Sequence, residues 1–311
     1  MSKHAYLIIA GNEFKQLKNL IYTLDDIRND IYIHIDKKVV FDKNYKDYLS
    51  SLVKYAKIYW IPRIEVNWAA PSQVVVELNL FKYAYNNENY SYFHLLSGKD
   101  LPLQSQNYIH NLLDNTNINL VGFTSEENYK KNKPWERVHY YHLFNKYSVR
   151  TFNNNLYKLF IRGWRFIEKK VQKNLAVNYW DKLNIKKVGY GTNWVSLTSD
   201  TVQLLLEEYD FWIKAFKNSI FGDELLIQTF ILNSKKNIPL NTSLKDSRIW
   251  SLRFIDWEES DGDGPHIWRK KDYSRLIKAQ KDGFLFARKF DSNVDNDIIQ
   301  IWVKHLKKED F

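Results

Sequence analysis

The first hundred residues alternate between two hydrophobic periodicities, and this limits the fold more than any other property of the chain. Ala5-Tyr-Leu-Ile-Ile-Ala10 is a short apolar run closed by Gly11-Asn12, the pattern of a buried strand ending in a tight turn. Leu17, Leu20, Ile21 and Leu24 then recur at helical spacing. Asp30-Ile-Tyr-Ile-His-Ile-Asp36 predicts a second strand, Val39 to Tyr55 a second amphipathic segment, and Lys57-Ile-Tyr-Trp-Ile61 a third strand. Strand, helix, strand, helix, strand implies a parallel sheet with right-handed crossovers. Such sheets bind ligands beyond the carboxyl ends of their strands, where Gly11, Asp36 and the segment after Ile61 would meet. The chain has neither a Gly-x-Gly-x-x-Gly nor a Walker pattern, which argues against a dinucleotide site or a P-loop.

Val66-Asn-Trp-Ala-Ala-Pro-Ser72 leads into a helical pattern from Val74 to Tyr85 that Ser72 could cap. Tyr92 to Leu103 reads as an apolar strand, a Ser-Gly turn and then Asp100. Carboxylates at two strand ends, Asp36 and Asp100, suit ribose hydroxyls or a base edge; each also suits a plain turn. Further on, Tyr190-Gly-Thr-Asn-Trp-Val-Ser-Leu precedes a helical pattern through Val202 and Leu206. Gly222-Asp223-Glu224 then opens an apolar run from Leu225 to Leu232. Two adjacent carboxylates at a helix N-terminus can cap it or do proton chemistry. Arg248 to Trp257 reads as a strand, and basic clusters at Arg269 to Lys271 and Arg288-Lys289 could meet a diphosphate or stay as surface charge.

Composition narrows the partners. Hydrophobic residues make up 44% of the 311, enough for a sizeable core. The absence of cysteine excludes disulfides and thiolate metal sites. Neither a signal peptide nor a membrane-spanning run is visible, so a cytoplasmic protein is expected. A net charge of +10 points to an acidic partner, and 11 Trp, 21 Tyr and 18 Phe suit sugars, bases or membrane interfaces. The segment 127–173 is basic and aromatic, with helical spacing from Leu156 to Val171. A core-facing helix with a solvated basic face is one reading, and an amphipathic helix on an anionic membrane at the inner membrane face is another. Nothing here resembles a nucleic-acid-binding signature.

Tyr32-Ile-His-Ile-Asp36, Trp68-Ala-Ala-Pro-Ser72, His94-Leu-Leu-Ser-Gly-Lys-Asp-Leu-Pro102, Gly191-Thr-Asn-Trp194, Asp223-Glu224 and Phe286-Ala-Arg-Lys-Phe290 occur in that order. In this order they resemble the core-2/I-branching enzymes, glycosyltransferase family 14, which also includes peptide O-xylosyltransferases. The resemblance runs from about residue 5 to about residue 291. It implies a GT-A-like α/β fold: a Rossmann-type, mostly parallel sheet flanked by helices, with a C-terminal mixed α/β part. One domain over 1–311 is expected, with a nucleotide-binding half to about 120 and an acceptor and catalytic half beyond. Without the disulfides and anchor of the animal enzymes, the chain looks like a short bacterial-type member.

The resemblance also implies roles. Glu224 aligns with the family's catalytic glutamate, and Lys289 with the lysine on the donor diphosphate. Arg269 is the weaker match to the partner arginine, and Arg288 the alternative. Ala10, Asp36, Trp68 and Asp100 map onto the nucleotide side; Asp223, Trp194 and Trp257 fall to the substrate side. The expected reaction is inverting and metal-independent, from a UDP-sugar, foremost UDP-N-acetylglucosamine, to a sugar hydroxyl on a lipid-linked or protein-linked glycan. UDP-xylose or UDP-galactose on the same fold is the nearer alternative. A non-catalytic carbohydrate- or nucleic-acid-binding module is the farther one. Asp261-Gly-Asp263 matches a metal-binding Asp-x-Asp, but in a C-terminal Gly-rich loop it reads as turn chemistry.

Overall fold

The computed structural model describes residues 2–147, 154–260, 262 and 264–309; Arg150, Phe152, Asp261 and Asp263 lie outside them. The strands are β1 (His4–Ala10), β2 (Asn29–Ile35), β3 (Lys57–Trp60), β4 (Tyr92–Ser97), β5 (Asp100–Pro102), β6 (Ser196–Thr198), β7 (Arg253–Ile255) and β8 (Phe286–Arg288). In chain order the first helices are α1 (Phe14–Thr23), α2 (Lys43–Ser50), α3 (Ser72–Asn87), α4 (Gln106–Leu113), α5 (Glu126–Asn132) and α6 (Glu136–His139). They are followed by α7 (Asn155–Asn174), α8 (Ser199–Glu207), α9 (Tyr209–Phe216), α10 (Asp223–Asn233), α11 (Tyr273–Lys281) and α12 (Asn296–Glu309).

The main sheet has the order β3-β2-β1-β4-β6. Its first four strands are mutually parallel and β6 alone runs antiparallel, against β4. This is the helix-flanked, mostly parallel sheet that the alternating pattern predicts. Strand geometry sends neighbouring side chains to opposite faces. Tyr6 and Ile8 of β1 therefore pack with Leu17, Leu20, Leu276, Ile299 and Trp302, on the side of α1, α11 and α12. Ala5 and Leu7 pack with Val76, Leu80, Leu205, Trp212 and Leu226, on the side of α3, α8, α9 and α10. Each such Leu or Phe, fully buried, contributes about 1.5–3 kcal/mol. A second sheet, β5-β8-β7, pairs Asp100 with Arg288 in register and so brings the C-terminal basic residues to the end of β4.

Several expectations give way locally. Ser72 does not cap α3: it is the first helical residue, and its Oγ accepts the amide of Asn67 at 2.9 Å. The strand expected over Arg248–Trp257 is short, because Ser247–Ile249 forms a 3-10 turn held by the Asp246 side chain, leaving Arg253–Ile255 paired. Helix α7 does not turn its apolar face to a core; it buries Ile161 and Glu168 and leaves the rest at least partly open.

Helix α10 is fixed by contacts to the backbone of the segments beside it. The amide of Gly191 donates to the carbonyl of Glu224 at 3.0 Å. Gln228 Nε2 donates to the carbonyls of Gly122 and Thr192 at 3.0 and 2.7 Å. A Cβ on Gly191 would lie 2.0 Å from the Gly122 carbonyl oxygen, so only glycine lets the three segments close. Gly191→Ala should therefore lower stability by about 1–3 kcal/mol, the range for overpacking a tight site. A melting temperature equal to that of the unmodified protein would show that the contact can relax without loss.

Candidate active site

The first turn of α10 carries the most unusual electrostatics. Gly222 occupies the N-cap position and no side chain caps the helix, so the capping role considered for Asp223 is not what the geometry shows. Glu224 is a third exposed at its side chain and accepts from Arg137 Nη1 at 2.7 Å. The Arg137 guanidinium lies over the rings of Tyr190 and Phe221, at 4.8 and 5.2 Å from their centroids. A carboxylate held this way, at the positive end of a helix, is fixed in direction yet open to solvent.

Asp223 lives differently. It is buried, Oδ2 accepts from Gln73 Nε2 at 3.0 Å, and Oδ1 has no hydrogen-bond partner among the described residues. Burial, and then the charge of Glu224, pushes its pKa up to about 7. Behind it lies Glu77 of α3, also buried: Oε1 accepts from Asn193 Nδ2 at 2.9 Å and Oε2 is unpartnered. Burial, and then Asp223, holds Glu77 well above the usual carboxylate range. Of three neighbouring acids, Glu224 alone is held by a cation and reaches solvent.

Gln73, Glu77 and Arg137 are absent from the sequence-based site. A signal for Glu77 was available: it shares a helical face with Val74, Phe81 and Ala84, and a carboxylate there enters the core. Arg137 carried none, being one cation in a basic run.

The expected nucleotide-side residues cluster at the carboxyl edge of the main sheet, in unlike settings. Ala10 is buried, and its carbonyl accepts the amide of Asp36 at 3.0 Å. Asp36 accepts the amide of Lys38 at 3.0 Å and stands 3.4 Å from its ammonium. Trp68 is 40% exposed, edge-to-face with Phe221 at 4.9 Å. Asp100 is buried: it accepts the amide of Ser97 at 2.7 Å and Arg288 Nη1 at 2.9 Å. Arg288 also meets the Ser97 hydroxyl and lies 4.6 Å from the Trp194 ring centroid. The backbone joins Lys289 to the turn before Arg269, with Trp268 N donating to Lys289 O at 2.9 Å and Lys289 N to His266 O at 3.3 Å. Arg269 Nη1 donates to the Ile267 carbonyl at 2.8 Å. Trp257 is 62% exposed. A cavity of about 400 Å³ opens beyond β2 and β3, lined by Ile35, Phe41, Lys43, Lys46, Trp60 and Arg63 among others.

Among the described residues, His4, His110 and Asp114 are the one group whose ligand-type atoms approach within 4.8 Å of one another. They lie at the amino ends of the strands, away from α10. The His4 and His110 rings are stacked at 3.9 Å, so their nitrogen lone pairs run side by side and do not converge. His4 Nε2 meets Asp114 at 3.1 Å, His4 Nδ1 meets His94 at 3.1 Å, and His94 Nδ1 meets Ser196 Oγ at 2.7 Å. This is a buried hydrogen-bond chain. Burial pushes His4 down to about 3 and lowers His94 as well, so both rings are neutral near pH 7.

A family model described as Core-2/I-Branching enzyme matches residues 4–279. The chain belongs to that family. Curated relatives agree: xylosyltransferase 2 of Rattus norvegicus is 22% identical over 316 residues, covering 96% of this chain, and xylosyltransferase 2 of Homo sapiens is 22% identical over 310. The chain spans 33% of the length of those relatives. Core-mannan synthase A of Aspergillus fumigatus aligns over 74% of this chain and 69% of its own, at 11% identity and a TM-score of 0.30, too slight a likeness to bear on the reaction. The family is one of glycosyltransferases, which use a nucleotide-sugar donor and a glycan acceptor. No helix among the described residues is long and apolar enough to cross a membrane.

The raised pKa of Asp223 has a measurable sign. A carboxyl that is protonated more readily in the folded state stabilises the fold at low pH, and that stability is lost as pH rises through about 7. Asp223→Asn keeps an oxygen for Gln73 but carries no charge. Its melting temperature relative to the unmodified protein should therefore climb from about pH 4 to about pH 7 and level off above that. A difference that stays flat across this range would mean Asp223 is ionised throughout.

Proposed function

We propose that the chain is an inverting glycosyltransferase in which Glu224 is the general base. The observation that carries this reading is the Tyr190–Trp194 segment, which touches both halves of the site. Tyr190 lies under the Arg137 that holds Glu224, and Trp194 lies under the Arg288 that holds Asp100. One carboxylate and one cationic cluster thus flank a single backbone stretch. In the proposed step the acceptor hydroxyl oxygen attacks the anomeric carbon of the donor from the face opposite the diphosphate. The carbon–oxygen bond to UDP breaks, and the hydroxyl proton passes to Glu224. Because the proton moves as the new bond forms, an ordinary carboxylate suffices. Asp223 and Glu77, buried and hard to ionise, suit a supporting role that keeps competing negative charge away from the base.

Charge builds on the departing diphosphate, and cations must meet it. Arg288 is committed to Asp100, Ser97 and Trp194. We assign the diphosphate to Lys289, which the family resemblance aligns with the diphosphate lysine, and to Arg269, its neighbour through the backbone pairing of their two segments. Two fixed cations would do what a divalent metal does in other nucleotide-sugar enzymes. Ala10, Asp36 and Trp68 would line the nucleotide, and Trp257 the acceptor. The donor of first choice is UDP-N-acetylglucosamine and the acceptor a lipid-linked or protein-linked glycan at the cytoplasmic side of a membrane. UDP-xylose is a second reading, favoured by the similarity to proteins named xylosyltransferase 2.

UDP release from a panel of UDP-sugars, with and without glycan acceptors, tests the reading. Glu224→Gln keeps shape and the hydrogen bond to Arg137 but cannot take the proton, so turnover should fall about 10²–10⁴-fold while UDP affinity stays within a few-fold. Full activity in Glu224→Gln would place the base elsewhere.

Metal independence has its own test. Transfer should continue in EDTA at its original rate. Loss of transfer in EDTA with recovery in manganese would replace the two-cation assignment and return attention to Asp261 and Asp263.

A further inference from the structure

An amphipathic helix ordinarily buries its apolar stripe and shows its charges to water. Helix α7 leaves its apolar stripe open as well as its charges. It docks on the body through polar groups. Glu168 accepts the amide of Leu143 at 2.6 Å, Gln172 exchanges hydrogen bonds with the backbone of Tyr141 at 2.7 and 2.8 Å, and Arg165 donates to the carbonyl of Tyr147 at 2.8 Å. The apolar side points away. At 100° per residue, Leu156, Leu159, Phe160, Phe166, Ile167 and Val171 fall on one arc, which also holds Gly163, Lys170 and Asn174, opposite the docked side. Their exposures are 75, 67, 56, 68, 57 and 49%. Leu175, just past the helix, is 71% exposed, and Leu143 and Phe144 beside it are 57 and 51% exposed. A patch of this size on one helix is more than scattered surface hydrophobics.

The charges decide what covers it. Lys158, Arg162, Lys169 and Lys173 form the strip next to the arc, with Lys169 also bridging Glu136 at 2.5 Å. A second copy placed face to face would set this strip against its own like charges, in a chain of net charge +10. A bilayer with anionic headgroups accepts both parts: acyl chains against the apolar arc, phosphates against the adjoining cations. We propose that α7 is a peripheral membrane anchor that seats its Leu156–Val171 arc in an anionic phospholipid surface. It needs no spanning segment, and it does not depend on the transferase reading.

The whole chain is tested by co-sedimentation with vesicles of phosphatidylcholine alone or phosphatidylcholine with phosphatidylglycerol. Binding is expected to the phosphatidylglycerol vesicles, at least about tenfold above the neutral ones, and to weaken steeply as salt rises from about 0.1 to 0.5 M. Phe166→Asp with Ile167→Asp should reduce it by about tenfold or more, since two apolar side chains no longer enter the acyl region. Both positions are exposed, so the double variant should melt at the original temperature. Equal binding to both vesicle types, or to neither, overturns the proposal. So does a concentration-dependent dimer in ultracentrifugation that Phe166→Asp abolishes, because a second copy would then be the cover.

Discussion

The approach of the Gly189–Asn193 backbone to α10 is the contact on which the candidate site rests. It has no side chain at its narrowest point: glycine at 191 lets the chain pass within reach of both the Gly122 carbonyl and the Gln228 amide. That passage aims Asn193 at Glu77, sets Tyr190 under Arg137 and carries Trp194 to Arg288. The orientation of Glu224, the burial of Asp223 and the setting of the cationic cluster all follow from one backbone path. Gly222 contributes similarly, since a Cβ there would fall within 3.0 Å of Phe216, Ser219 and Val74.

Charge is then sorted by depth. Three carboxylates meet near the start of α10, and three ionised acids together in a low-dielectric pocket would repel strongly. The structure avoids this by giving the cation to the outermost acid. The two inner acids rely on amide donors, Gln73 and Asn193, which can serve a protonated or an ionised carboxyl.

Much of the fold was readable in the sequence because it rests on periodicity. β1, α1, β2, β3, α3 and β4 each fall within a few residues of their expected positions. The failures have physical causes. Between Arg248 and Trp257 the side-chain pattern suited a strand, but Asp246 captured the Arg248 amide and wound the first part into a turn. In α7 the pattern correctly announced an amphipathic helix, yet periodicity does not say which side meets the protein. Glu168 and Gln172 decided that, by finding backbone partners. Within the site, adjacent motifs were legible but partners distant in sequence were not: Gln73 and Asp223 are 150 residues apart, Arg137 and Glu224 87.

The ion pair between Asp100 and Arg288 joins positions 188 apart, and β5 and β8 pair around it. Contacts of such long sequence separation form late, after the loops between them have closed. During synthesis the four parallel strands of the first sheet can assemble from the residues up to β4, while Asp100 waits for a cation near the far end of the chain. The basic cluster and the completed second sheet thus arrive together. A nascent chain carries the acid of α10 before it carries the cations of β8, so completion of the site is tied to near-completion of the polypeptide.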